Sequence, residues 1–155
     1  MTKRLDADEM RAWRGTVELF LEVSSALDAD LIEEQGIDQR DYSIFVLLAE
    51  APERQLRMCD LAAELHLTPS GLTRRLDHLV KKGFVRREAS HEDRRVSMAV
   101  LTVKGLSKLE IAAPGHVRAV REQLLDHLTR TQIRQLGSIV DSARRRRSQA
   151  LDLAG

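Results

Sequence analysis

The chain has 155 residues, 43% hydrophobic and 32% charged, with a formal net charge of +1, which points to one domain with a packed core and excludes disorder from want of apolar content. No apolar run approaches the roughly 18 residues that span a bilayer, and the start, Met1-Thr2-Lys3-Arg4-Leu5-Asp6-Ala7-Asp8-Glu9, lacks a signal-peptide core, so a cytoplasmic protein with no membrane contact is expected. The lone cysteine, Cys59, excludes an internal disulfide and a zinc site built on cysteines.

From Met10 to Leu31 the residues Met10, Trp13, Val17, Phe20, Leu21, Leu27 and Leu31 recur at steps of three and four, the mark of a long amphipathic helix. Gly36 suits its C-terminal cap and Asp38 the next N-cap, after which Tyr42 to Leu48 form a mostly apolar helix ended by Pro52. A short helix is expected over about Asp60 to Leu65. The next begins at Thr68-Pro69, an N-cap followed by proline at the first helical position, and ends at Gly83.

Past Gly83 the period changes. Phe84 to Glu88 and Val96 to Leu101 predict two strands joined by a charged loop, a hairpin set between helices. Thr102 can cap a further helix with a bend at Pro114-Gly115. Thr129 with Gln132 makes a capping box, with Leu128 and Ile133 as its staple, and opens a last helix toward the C-terminus.

Charge is distributed unevenly along this order. Residues 1–67 hold 7 Lys/Arg against 15 Asp/Glu, residues 68–95 hold 8 against 4, and residues 96–155 hold 10 against 5. A basic segment within a near-neutral chain suits phosphate binding, while only five aromatic residues argue against a platform that stacks single-stranded bases. Short helix, tight turn, helix and hairpin is the order of a winged helix-turn-helix, so the expected fold is mainly α with a small β-hairpin wing. On the wheel of the second helix Leu72, Leu76, Leu79 and Gly83 share one side. Ser70, Arg74, Asp77, His78 and Lys81 share the other, with Thr73 and Arg75 on its two flanks.

Leu61-Ala62, the run from Leu72 through Val85, and Asp93-Arg94-Arg95 with five residues to Leu101-Thr102 and two more to Gly105 resemble the MarR family of bacterial transcriptional regulators. The resemblance covers nearly the whole chain, and the wing pattern D-x-R-x5-L-T-x2-G is its most specific part. It implies a single domain over residues 1–155: dimerisation helices at 8–36 and 103–150, and a DNA-binding lobe at 38–102. It further implies a homodimeric repressor of double-stranded DNA in which Pro69, Ser70, Thr73, Arg74 and His78 face the major groove. Arg95, with Arg94 beside it, reaches the minor groove from the wing tip, where a narrow groove concentrates negative potential. Arg75 is counted with the contact face from its position on the flank.

Asp93 is a candidate brace for a wing or recognition-helix arginine, or else a plain turn-forming aspartate. Effectors in this family commonly lodge between the long helices and the DNA-binding lobe. Trp13 is therefore a candidate wall for a small aromatic or phenolic effector, against plain core or dimer packing, and Arg118 or Arg121 its charge partner if the bend at Pro114 turns them inward. No cofactor or metal is expected, since His66, His78, His91, His116 and His127 have no paired ligand spacing. No glycine-rich phosphate loop, G-x-S-x-G or H-E-x-x-H is present, so an enzyme is not expected. The alternatives are a protein-interaction adaptor built on the winged domain and a redox-sensing regulator acting through Cys59 near a helix start, where a serine-like capping role also explains it. Arg144 to Arg147 point around a helix axis and suit a solvated helix end.

Overall fold

The computed structural model describes residues 4–90 and 93–152. Six helices run in chain order: α1 (Ala7–Gln35), α2 (Gln39–Glu50), α3 (Met58–Glu64), α4 (Pro69–Lys81), α5 (Val103–Gln123) and α6 (Arg130–Asp152). Three strands, β1 (Gln55–Arg57), β2 (Val85–Ala89) and β3 (Ser97–Leu101), form an antiparallel sheet in the order β1-β3-β2. The hairpin β2/β3 pairs Val85 with Leu101 and Ala89 with Ser97. Strand β1 was not expected: three residues between a turn and a helix are too few to show a period of two, and its pairing of Leu56 with Ala99 is a tertiary contact.

Caps fix the helix ends. Asp6 opens α1 in a capping box with Glu9, and Gly36 closes it at φ +65°, a left-handed position where a side chain costs energy. Asp38 caps α2 by accepting the Asp41 N–H, and the Thr68 hydroxyl caps α4 by accepting the Gly71 N–H at 3.1 Å. Both helices of the helix-turn-helix end in the same way. His66 (φ +52°) and Gly83 (φ +75°) take the left-handed position, and the following N–H, of Leu67 or Phe84, returns to Ala62 or Leu79. Helix α5 runs unbroken through Pro114, where a bend was expected. The Thr129 and Gln132 side chains start α6 as the capping box predicts.

The core lies under α4. Leu72, Leu76 and Leu79 recur on one face, fully buried against Ile44, Phe45 and Leu48 of α2, Leu61 of α3 and Val85 of β2. Each such side chain contributes about 1.5–3 kcal/mol, so the face of α4 that packs is settled by the hydrophobic effect alone. Its other face is left to solvent. Helix α6 shows none of this: every residue up to Ala150 is exposed except the half-buried Ile133 and Ser142. Among the described residues no helix is long and apolar enough to cross a membrane.

The wing is locked at its base. The Thr102 hydroxyl reaches the carbonyls of Gly83 and Phe84 at 2.8 and 3.0 Å and accepts the Gly105 N–H, while Lys104 Nζ donates to Lys82 O. A Cβ on Gly105 would stand 2.1 Å from Phe84 O. The L-T-x2-G spacing is thus a close approach of α5 to the end of α4. Gly105→Ala is expected to cost about 1–3 kcal/mol, read as a lower urea midpoint with unchanged slope.

Candidate nucleic-acid interface

Burial of the leucine stripe turns Pro69, Ser70, Thr73, Arg74 and His78 outward together, all exposed on one side of α4. Arg94 and Arg95 are exposed on the turn that begins β3. Asp93 accepts the Arg95 N–H at 2.9 Å, and the Val96 N–H returns to Asp93 O, so this aspartate shapes the wing turn. Among the described residues it forms no ion pair with an arginine. His91 and Glu92 lie outside the described residues.

The brace between wing and recognition helix is a residue that the sequence did not single out. From β2, Arg87 pairs with Asp77 at 2.9 Å and donates to the Thr73 carbonyl at 2.7 Å, joining the wing to the middle of α4. The signal was present in the alternation of β2, which puts Arg87 on the face toward α4, but its partner depends on tertiary structure.

Arg75 departs most from expectation. Instead of standing free on the flank of the contact face, its half-buried guanidinium turns to the start of α2 and bonds both Asp38 and Asp41, the latter at 2.9 Å. Burial works to raise the Asp38 carboxyl, but hydrogen bonds from Arg75 and from the Asp41 N–H, with the Arg75 charge, outweigh it and hold this carboxyl below the usual range. Asp41 is only 3% exposed, and there burial prevails, helped by the neighbouring Asp38 charge, so its carboxyl is raised despite Arg75. The arginine itself is raised further: burial opposes its charge, and the two carboxylates more than compensate.

The candidate effector residues are not brought together. Trp13 is 61% exposed in the N-terminal half of α1. Arg118 pairs at 2.6 Å with Glu34, which lies roughly 30 Å farther along that helix by its rise per residue. The space between α1 and α5 lined by Leu27, Leu31, Glu34, Ala112 and His116 amounts to about 10 Å³, room for about one water, and touches neither residue. Cys59 is exposed inside the first turn of α3, whose N-cap is Arg57, so it caps nothing; its thiol donates to the Asp60 carboxylate at 3.4 Å. Arg144 to Arg147 lie exposed along α6, away from α4.

A family model for MarR matches residues 37–97, from just before α2 to the first residue of β3. Sco3205 of Streptomyces coelicolor, a MarR family transcriptional regulator solved in complex with DNA, is 38% identical and superposes with a TM-score of 0.86 over 92% of this chain and 89% of its own. AbsC, a MarR family regulator of the same organism, is 32% identical over 95% of this chain and 99% of its own, also at 0.86. The chain belongs to the MarR family. The curated repressor YetL of Bacillus subtilis (strain 168) is 29% identical over 82% of the chain and 81% of its own length. As a MarR protein this chain is a DNA-binding transcriptional regulator and not an enzyme.

Two predictions test how this MarR surface is held. Asp38→Asn keeps an N-cap of equal quality and removes the charge, so it is expected to cost about 1–2 kcal/mol at neutral pH. The wild-type advantage comes from a depressed carboxyl. It should be complete above pH 3.8 and fade as pH falls below that value, whereas Asp41, raised in the fold, gives no such acid-labile advantage. Urea titrations from neutral pH downward measure both. Arg87→Ala breaks an exposed pair worth about 0–1 kcal/mol, so global stability should barely move while amide exchange across residues 85–101 quickens and DNA affinity drops.

Proposed function

We propose that the protein acts as a homodimeric repressor on an inverted-repeat operator, with α4 in the major groove and the wing at the minor groove. One observation carries the dimer. Trp13, Phe20 and Leu21 of α1, Ile111 and Val117 of α5 and Ile139 and Val140 of α6 are all exposed large apolar side chains, with nothing among the described residues to cover them. In this reading residues 8–36 and 103–150 form the dimerisation layer and residues 38–102 the DNA-binding lobe, and the protein works in the cytoplasm, where its DNA is. Two-fold symmetry sets the recognition helices about one helical turn, roughly 34 Å, apart, which is why the operator is an inverted repeat. Repression is the direction that the name of YetL supports.

Within the site, Pro69, Ser70 and Thr73 set the N-terminal end of α4 against the groove, Arg74 and His78 reach base edges, and Arg94 and Arg95 serve the wing contact. Arg75 contributes by fixing α4 rather than by touching DNA. Release by a small aromatic or phenolic effector fits a pocket at the dimer interface near Trp13, because one chain does not supply it; Arg118 then takes part only if its pairing with Glu34 is exchanged for the ligand.

Selection of duplexes from a random library, followed by binding titrations across salt, tests the reading. Arg74→Ala should lose about 1–3 kcal/mol per half-site on the selected duplex and accept other sequences. Arg95→Ala should weaken selected and scrambled duplexes alike, with a shallower salt slope. A monomer in light scattering at micromolar concentration would contradict the dimer, and binding to duplex DNA without salt dependence would favour a protein-docking adaptor. Trp13→Phe should blunt ligand-driven release while leaving the dimer intact.

A further inference from the structure

The flank of α4 that faces the start of α2 borders an open groove of about 420 Å³ lined by Arg40, Leu67, Gly71, Arg74, Arg75 and His78. Three guanidinium groups meet there, but they are not equivalent. Arg75 is neutralised by Asp38 and Asp41, and Asp77, the remaining acidic group on α4, is taken by Arg87. Arg40 and Arg74 are exposed and enter none of the ion pairs among the described residues. Two carboxylates face the one Arg75, so the groove keeps one net positive charge, carried by two unpaired guanidiniums, one from each wall.

Its position gives those charges a use. Arg74 and His78 line the groove and also belong to the outward face of α4, so the groove opens directly onto the surface that meets base edges. A DNA strand offering a base to Arg74 must carry its sugar-phosphate backbone past the mouth of the groove, where Arg40 stands at the first turn of α2. Among the described residues Arg40 has no ion-pair partner to give up, and the start of α2 is already capped by Asp38, so Arg40 itself is the group left for an anion. Gly71, also in the lining, adds no side chain to the groove.

We propose that this groove is a phosphate seat for the DNA strand flanking the major-groove contact, with Arg40 on α2 as its principal cation. The proposal rests on the reading of α4 as the recognition helix and adds a contact outside the winged hairpin and outside α4. Arg40 sets how tightly the protein holds any duplex, and Arg74 sets which duplex it prefers.

The test compares wild type, Arg40→Ala, Arg40→Lys and Arg74→Ala by fluorescence anisotropy on the duplex selected by the wild-type protein and on a scrambled duplex of the same composition, each across a salt series. Arg40→Ala should weaken both duplexes by the same factor and reduce the slope of log K against log salt by about one per half-site, with its melting temperature unchanged. Arg40→Lys should restore most of the slope, since a point charge suffices for a phosphate. Wild-type affinity and slope for Arg40→Ala on both duplexes would overturn the seat, and so would a loss confined to the selected duplex, which is the signature of a base contact. Failure of the α4 reading looks different: Arg74→Ala would then discriminate between the duplexes as wild type does.

Discussion

The orientation of the recognition helix depends on the bond of Arg75 to two aspartates at the start of α2. Leucine packing decides which side of α4 is inward, but apolar contacts are non-directional and leave rotation about the helix axis loosely defined. A guanidinium shared by Asp38 and Asp41 fixes that rotation from one side. Arg87, bonded to Asp77 and the Thr73 carbonyl, fixes it from the other. Together they hold the exposed face of α4, with Arg74 on it, at one rotation.

The same aspartate belongs to a turn on which four helices converge. Around Gly36, Gln35 accepts from Lys108 of α5 at 3.1 Å, the Gly36 carbonyl from Lys82 at the end of α4 at 3.3 Å, and Asp28 of α1 from the Gln39 N–H at 2.8 Å. These bonds tie α1 and α5 to the turn that carries Asp38, and Arg75 ties that turn to α4. Farther along, His116 of α5 lies against Tyr42 of α2 with ring centroids 4.3 Å apart, and burial holds the imidazole below its usual range. The terminal helices and the winged lobe share polar joints as well as a core.

Local signals were the legible ones. Thr68-Pro69, Asp38, Gly36, Gly83 and the Thr129 capping box each act within a turn of chain and appeared where the sequence put them, as did the leucine stripe of α4 and the hairpin. What escaped depends on residues far apart in the chain. Strand β1 exists through β3; Arg75 turns inward because residues 34 and 37 positions earlier offer it carboxylates; Arg87 supplies the brace that seemed to belong to Asp93. Within one chain Trp13 and Arg118 stand at opposite halves of α1, a separation that residue types alone do not show.

Pairing of the arginines also changes how the protein meets DNA that is not its operator. Residues 68–95 hold eight basic side chains, but Arg75, Arg86 and Arg87 are matched with Asp38 and Asp41, Glu88 and Asp77. Arg74, Lys81, Lys82, Arg94 and Arg95 stay outside the ion pairs among the described residues, so the charge open to phosphates is smaller than the basic count of the segment. Each cation matched within the fold is one fewer to displace counterions from a duplex, so the internal pairs lower the salt dependence that the basic count alone would imply.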